Sequence, residues 1–304
     1  MAASSSKTPG AAFIDPHVLA RIDNLSLLAR TVVDGFINGL HRSPYFGLSL
    51  DFAEHRGYMP GDDIRWIDWR VYARTDRYYV KQFEAESNAN FSVLLDVSRS
   101  MRFASQGLSK LDYGRFLAAC LTYFSHRQRD RVGIVTFDDG IVDRVPPSAK
   151  HLEVVLHTLD RVGPGRQGNL VRSLERMPEF FKRRGIVVLV SDLYEDPQRA
   201  VDLLKPLVAI GNDVIVFHLL DHAEIEFPYE EASSFQDLET GEVIPVVPEA
   251  VREQYRRLVR EHVASLARLA TASRIDYAML DSSRPLDHAL FTFLSSRERF
   301  SRVR

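Results

Sequence analysis

Strongly apolar runs of seven or eight residues recur from about residue 90 onward, and helical segments separate them. The runs read FSVLLDV, RVGIVTF, GIVVLVS and DVIVFHLL. A strand that is apolar along its whole length is typical of a parallel sheet covered on both faces. Strands that alternate with helices form such sheets through right-handed crossovers. The pattern therefore predicts an α/β fold with a doubly wound, mainly parallel sheet and flanking helices.

Two segments lie outside this alternation. Apolar residues recur at helical spacing over residues 19–40, which predicts a long amphipathic N-terminal helix. Residues 223–247 contain strand-like pieces around the turn Thr240-Gly241 and predict a small β-rich insertion. We expect a disordered tail over residues 1–12, an N-terminal segment over 13–89, and one α/β domain over 90–304 that contains the insertion.

The composition excludes several classes of function. The formal net charge of −2 lacks the basic excess of a nucleic-acid-binding protein. Cys120 is the one cysteine, which rules out a disulfide framework and suits a reducing compartment. No apolar stretch approaches the ~20 residues that a membrane-spanning helix needs. The first residues also lack the apolar core of a signal peptide. We expect a cytoplasmic protein with no membrane span.

A glycine-rich loop, GPGRQG at residues 163–168, matches the dinucleotide-binding pattern Gly-x-Gly-x-x-Gly. Asp192 even lies near the distance at which a carboxylate holds a ribose hydroxyl. That fingerprint works only where the loop joins the end of a strand to the start of a helix. The preceding segment, HLEVVLHTLDRV, is typical of a helix. We therefore expect a loop between two helices and no dinucleotide site.

Oxygen-bearing side chains follow two of the predicted strands. Asp96, Ser98 and Ser100 come directly after the first buried strand, and Asp192 comes at the end of GIVVLVS. Carboxylates and hydroxyls suit a hard divalent cation that keeps some of its waters, chiefly Mg²⁺. In the alternative interpretation the serines cap the following turn and Asp192 accepts a loop amide. We favour the metal, because the second aspartate stands at the kind of strand end where such sheets bind ligands.

Tryptophan, arginine and aspartate are concentrated in GDDIRWIDWRVYARTDR, residues 61–77. Such residues suit a partner-binding face. We favour instead a structural clasp of ion pairs and buried aromatic rings, Trp69 among them, that anchors the N-terminal segment to the sheet. Asp62 and Asp63 form a carboxylate pair that could act as acid and base, but no nucleophile accompanies them. The histidines show no metal-ligand spacing, and neither Gly-x-Ser-x-Gly nor His-Glu-x-x-His occurs.

These motifs resemble those of two known families. Asp-x-Ser-x-Ser after an apolar strand, with a later aspartate at a strand end, resembles the metal-ion-dependent adhesion site of von Willebrand factor A domains. The stretch HRGYMPGDDIRWIDWRVYARTDRYYVKQFEAE, residues 55–86, resembles the hallmark of domain-of-unknown-function family 58. The likeness extends from about residue 18 to the C-terminus and includes FQDLETGE and IDYAMLDSSRPL. Members are von Willebrand A-like proteins often encoded beside MoxR-type AAA+ ATPases.

The resemblance implies a fold, a metal site and a partner. It implies a von Willebrand A-like domain that holds Mg²⁺, with Mn²⁺ and Ca²⁺ as alternatives, at the residues Asp96, Ser98, Ser100 and Asp192. Such domains usually supply a threonine ligand from a Gly-Gly-Thr-Asn/Asp-Leu loop. RQGNL aligns with that loop and places Gly168 where the threonine would stand. We therefore expect weak metal binding that Gly168→Thr would strengthen.

The implied function is a non-enzymatic, protein-binding adaptor that works with a MoxR-type AAA+ ATPase in a chaperone-like assembly. The open coordination position of the cation would accept a carboxylate of the partner. The alternative is a metal-dependent phosphohydrolase that uses the same cation as a Lewis acid. The sequence shows neither a clear base nor a clear phosphate-binding group for that reaction.

Overall fold

A six-stranded, mainly parallel sheet forms the centre of the fold. The computed structural model describes residues 19, 24–42, 55–57, 69–81, 89–163 and 165–293. Its strands are β1 (His55–Gly57), β2 (Tyr79–Lys81), β3 (Asn90–Asp96), β4 (Arg131–Phe137), β5 (Ile141–Ser148), β6 (Gly185–Ser191), β7 (Asp213–Leu220), β8 (Ser233–Gln236), β9 (Val243–Val246) and β10 (Asp276–Asp281). Its helices are α1 (Leu25–Arg42), α2 (Trp69–Thr75), α3 (Lys110–Arg127), α4 (Leu152–Arg161), α5 (Leu170–Glu175), α6 (Pro197–Ala209), α7 (His222–Glu226) and α8 (Pro248–Ala272). Residues 287–293 are also helical.

The strand order is β10-β7-β6-β3-β4-β5, and only the edge strand β5 runs antiparallel to its neighbour. This topology confirms the predicted doubly wound α/β fold. From β3 the chain first proceeds to β4 and β5 on one side and later returns to β6 on the other. The order of strands therefore reverses between β3 and β6. Loops that leave two such strands diverge, and the crevice between them is the usual ligand site of this architecture.

Both faces of the sheet are buried, which explains the continuous apolar runs. Along β3, Val93 and Leu95 belong to one hydrophobic core and Leu94 to the other. The first core contains buried residues of α1, α3 and α4, and the second contains buried residues of α5, α6 and α8. Cys120 lies in the first core. Burial raises the pKa of its thiol, so this cysteine is not a reactive thiolate.

The glycine-rich loop connects α4 to α5, as predicted, with no strand before it. The segment after β7 contains α7 and a hairpin of β8 and β9, in which Phe235 pairs with Ile244. This hairpin pairs with neither edge of the main sheet. Among the described residues, no helix is both long enough and apolar enough to cross a membrane.

Trp69 occupies a different environment from the one expected. Its side chain is 58% exposed and touches Tyr72 edge-on, with ring centroids 6.1 Å apart. Tyr72 in turn stacks on Tyr78 at 4.5 Å. The expectation that Trp69 is buried in a clasp is therefore wrong. Residues 61–68, which include the pair Asp62 and Asp63, lie outside the described residues.

Candidate functional site

The four predicted metal ligands line one cleft at the carboxyl edge of the sheet. Asp96 ends β3 and Asp192 follows β6, so both stand where the strand order reverses. Ser98 and Ser100 lie in the loop after β3 and complete the same wall. The cleft has a volume of about 540 Å³, and Gly168 also lines it. Folding thus brings together side chains that are almost 100 positions apart along the chain.

The carboxylate of Asp96 accepts two hydrogen bonds from neighbouring groups. Its Oδ1 accepts the amide of Ser98 at 2.9 Å and its Oδ2 accepts the hydroxyl of Ser191 at 2.7 Å. Burial, together with the charge of Asp192, raises the pKa of Asp96 to about 7. A cation placed in the cleft would oppose this effect, because it stabilises the ionised carboxylate.

The hydroxyl of Ser98 is not used as a cap. Ser98 precedes the 3₁₀ turn Arg99–Arg102, yet its side chain makes no capping hydrogen bond. Its Oγ lies 3.1 Å from the Oγ of Ser100 instead. This finding argues against the alternative in which Ser98 only caps a turn. It leaves two hydroxyl oxygens beside the Asp96 carboxylate.

A fully buried lysine neutralises the second aspartate. Ser109 caps α3 by accepting the amide of Asp112, which makes Lys110 the first residue of that helix. Lys110 Nζ donates to Asp192 Oδ2 at 2.9 Å and to Glu224 Oε1 at 2.7 Å. Burial alone would lower the pKa of Lys110, but the two carboxylates raise it above its usual value. The ammonium is therefore charged at neutral pH.

Glu224 has two tasks at the start of α7. Its Oε2 accepts the amide of Asp221 at 2.8 Å and completes a capping box, while Oε1 faces Lys110. Burial raises the pKa of Glu224, although Lys110 opposes the shift. Asp192 and Glu224 thus share the ammonium group of Lys110. Because Asp192 is already paired with this cation, it attracts a divalent metal less strongly than an unpaired aspartate would.

A neutral histidine fixes the loop that carries Asp192. His218 is fully buried in β7, and its Nε2 lies 2.8 Å from the carbonyl oxygen of Asp192. Its Nδ1 lies 2.7 Å from the hydroxyl of Tyr277. Burial lowers the pKa of His218 to about 3, so the ring is uncharged. His262 contacts the carbonyl oxygen of Leu193 in the same loop at 3.0 Å.

The glycine-rich loop packs against the loop after β3. The amide of Gly165 donates to the carbonyl of Val97 at 2.7 Å, and a Cβ at Gly165 would lie 2.5 Å from that oxygen. A Cβ at Gly168 would lie 2.5 Å from the Cβ of Ser98. Gly168 does not have a positive φ, so close approach is what demands glycine here. This close approach argues against the expectation that a threonine at position 168 strengthens the site.

The β8–β9 hairpin contributes a carboxylate that sequence reasoning missed. Glu239, at the tip of the hairpin, accepts the amide of Ser100 at 2.6 Å through Oε1. It accepts the amide of Gly168 at 2.6 Å through Oε2. Lys110, Glu224 and Ser191 were missed as well. The sequence held one signal for Glu239, since it lies inside FQDLETGE, a stretch noted for its family resemblance.

The donor set fits a hard cation. Among the residues described, no group of three or more His, Cys, Asp and Glu side chains is arranged to hold a metal ion. The candidate ligands are instead two carboxylates and two hydroxyls, whose oxygens line one cleft. Hard cations such as Mg²⁺ use these oxygen donors and keep several waters.

Comparison with known proteins identifies one family. The model of the family described as "Protein of unknown function DUF58" matches residues 54–265. An uncharacterized protein of Mycobacterium tuberculosis is 27% identical over 293 residues, which cover 94% of this chain and 91% of that protein. An uncharacterized protein of Mycobacterium avium is 27% identical over 164 residues, which cover 51% of this chain and 95% of that protein.

Solved structures show partial similarity. The conserved hypothetical protein BatB from Bacteroides thetaiotaomicron has a TM-score of 0.48 and 18% identity, covering 69% of this chain and 99% of that chain. Proximal thread matrix protein 1 from the mussel byssus, solved with a zinc-occupied MIDAS motif, has a TM-score of 0.33 and 21% identity, covering 45% and 39% respectively. At these scores the similarity adds nothing to the fold assignment, which the strand order establishes.

Proposed function

The chain belongs to the DUF58 family of proteins of unknown function, and from this membership we propose that it is a cytoplasmic, non-enzymatic adaptor that binds a partner protein through a weak metal-ion-dependent site. The observation that carries the proposal is the convergence of Asp96, Ser98, Ser100 and Asp192 on one cleft at the switch point of the sheet. By family resemblance, the partner is a MoxR-type AAA+ ATPase.

The chain's own residues divide the work of holding Mg²⁺. Asp96 supplies the negative charge, and Ser98 and Ser100 supply neutral hydroxyl oxygens beside it. Asp192 adds less, because Lys110 already neutralises its Oδ2. When bound, the cation offers an open coordination position to a carboxylate of the partner. Binding is weak because Lys110 competes for Asp192 and because Gly168 brings no hydroxyl.

A binding role explains the surroundings better than a hydrolytic one. His218 uses both ring nitrogens in hydrogen bonds, and His262 contacts a backbone carbonyl. The imidazole of His218 is therefore not available as a general base for water activation. The family and the curated relatives carry no assigned activity, so the comparisons add no reaction.

The metal proposal predicts that Asp96→Ala loses Mg²⁺ binding. Removing the carboxylate eliminates the one negatively charged ligand that no lysine shares, and we expect affinity to fall at least about tenfold, or ~1.4 kcal/mol. Calorimetric titration with Mg²⁺ and Mn²⁺ measures the change. Asp143→Ala, which removes an exposed carboxylate from β5, is the matched control and should bind as the wild type does.

Equal Mg²⁺ affinity in Asp96→Ala and the wild type, with both proteins folded by melting curves, would contradict the metal site. Turnover of phosphoesters with Mg²⁺ that disappears in Asp96→Ala would instead favour the phosphohydrolase.

The partner proposal predicts capture of an AAA+ ATPase. Tagged wild-type protein, incubated in native lysate with Mg²⁺ and ATP, should enrich a MoxR-type ATPase that mass spectrometry identifies. Asp143→Ala should enrich it equally, whereas Asp96→Ala or added EDTA should not, because the cation is the proposed contact. Failure of the wild type to enrich any such ATPase would count against this partner.

A further inference from the structure

Two backbone amides from separate loops converge on one carboxylate in the cleft. Ser100 N and Gly168 N each lie 2.6 Å from a different oxygen of Glu239. Hydrogen bonds from amides to an ionised carboxylate are shorter and stronger than neutral ones. We propose that these two amides form a carboxylate-binding site, which Glu239 fills as an internal ligand and which an acidic side chain of a partner fills in its place. The second half of this proposal rests on the function proposed above.

The two amides are held in place independently of the hairpin. Gly165 N donates to the Val97 carbonyl at 2.7 Å, and Arg99 N donates to the Arg166 carbonyl at 3.2 Å. These bonds tie the glycine-rich loop to the loop after β3. The distance between the Ser100 and Gly168 amides is therefore set by the two loops, so the site remains formed when Glu239 leaves it.

Gly168 is suited to bind a carboxylate through its backbone amide, because it has no side chain. A Cβ at position 168 would lie 2.5 Å from the Cβ of Ser98 and 3.7 Å from Glu239 Oε1. Any side chain would separate the amide from the cleft or push the two loops apart. The absence of a side chain lets the backbone approach the carboxylate closely.

Glu239 is carried on a turn that the hairpin forms locally. Asp237 Oδ1 accepts the amide of Glu239 at 2.7 Å, and Asp237 Oδ2 accepts the hydroxyl of Thr240 at 3.0 Å. These bonds lower the pKa of Asp237. Gly241 completes the turn with a φ of 78°. The glutamate is thus presented at the tip without help from the cleft.

The hairpin can move without breaking the main sheet. In the described part of the chain its strands pair only with each other, and stacking of Phe235 on Phe227, with centroids 5.6 Å apart, holds its base. Val243 and Ile244 are more than half exposed on the hairpin. Displacing the tip therefore costs the two Glu239 hydrogen bonds and local contacts rather than a strand of the core. A partner that binds must offset this cost, which lowers its apparent affinity.

The test observes the backbone amides of Ser100 and Gly168 directly in the 304-residue protein. In a ¹⁵N TROSY spectrum with EDTA present, Glu239→Ala should move the amide protons of Ser100 and Gly168 upfield, because both lose a charged acceptor. Glu242→Gln, a neutralised glutamate on the same hairpin, is the matched control and should leave both unchanged. Sodium acetate added to Glu239→Ala should return both signals downfield in a saturable way, whereas sodium chloride of equal ionic strength should not.

In the wild type both signals already stand downfield, and acetate should leave them nearly unchanged, since an internal ligand competes at an effective concentration of millimolar or higher. If Glu239→Ala melts abnormally, Glu239→Gln takes its place. Unchanged amide shifts in the Glu239 variants, or acetate effects no stronger there than in the wild type, would overturn the proposal. Because EDTA removes divalent cations and no partner is present, the result is independent of whether the metal and adaptor proposals hold.

Discussion

Lys110→Met is expected to lower the free energy of unfolding by about 3–5 kcal/mol, the usual cost of removing one partner from a buried ion pair. The lysine is fully buried, and its ammonium bonds to Asp192 at 2.9 Å and Glu224 at 2.7 Å. Methionine fills the space but leaves two carboxylates facing each other without a cation. Denaturant unfolding curves at neutral pH measure the loss.

Two further variants separate this effect from a general loss of packing. Lys205→Met removes a lysine that pairs with Asp202 on the surface of α6, and should cost far less stability than Lys110→Met does. The triple variant Lys110→Met/Asp192→Asn/Glu224→Gln removes all three charges and should recover most of the lost stability. If Lys110→Met loses less than the surface control, the trio does not stabilise the fold. If the triple variant recovers nothing, the loss comes from packing.

Gly168→Thr is expected to weaken the site. A Cβ at this position would lie 2.5 Å from the Cβ of Ser98, so one of the two loops must move. Overpacking of this kind costs about 1–3 kcal/mol of stability. The movement also draws the Gly168 amide away from Glu239, which now accepts it at 2.6 Å. Melting curves and Mg²⁺ calorimetry should therefore show a less stable protein with no gain in affinity.

Gly163→Ala is the matched control within the same loop. A Cβ at Gly163 meets nothing within 4 Å and its φ is not positive, so stability should change by at most about 0.5 kcal/mol. Gly168→Ala introduces the same clash without a hydroxyl and separates steric from chemical effects. A contrary result would be a Gly168→Thr protein that is as stable as Gly163→Ala and binds Mg²⁺ more tightly than the wild type. It would show that a threonine at position 168 does supply a ligand to the metal.

The metal candidates could be predicted because their signal is local. An apolar strand followed at once by Asp96, Ser98 and Ser100 identifies a strand end, and parallel topology places the ends of β3 and β6 at the same edge. The helical segment before Gly163 likewise sufficed to predict that the glycine-rich loop joins two helices. Trp69 shows the limit of this reasoning, since residue type alone did not reveal that its side chain is exposed.

The sequence by itself determined the α/β class, the sheet and the edge at which the site lies, because the signals for these features are local. Apolar runs that alternate with helices, and polar residues that directly follow strands, can each be recognised within a few neighbouring residues. Only the tertiary structure decided which charges meet there. Lys110 reaches Asp192 across 82 positions and Glu224 across 114, and Glu239 reaches Ser100 across 139. The close approach of Gly168 to Ser98 is likewise a contact that only the tertiary structure reveals. Such contacts depend on how loops from different strands pack in three dimensions, and no periodicity along the chain encodes that packing.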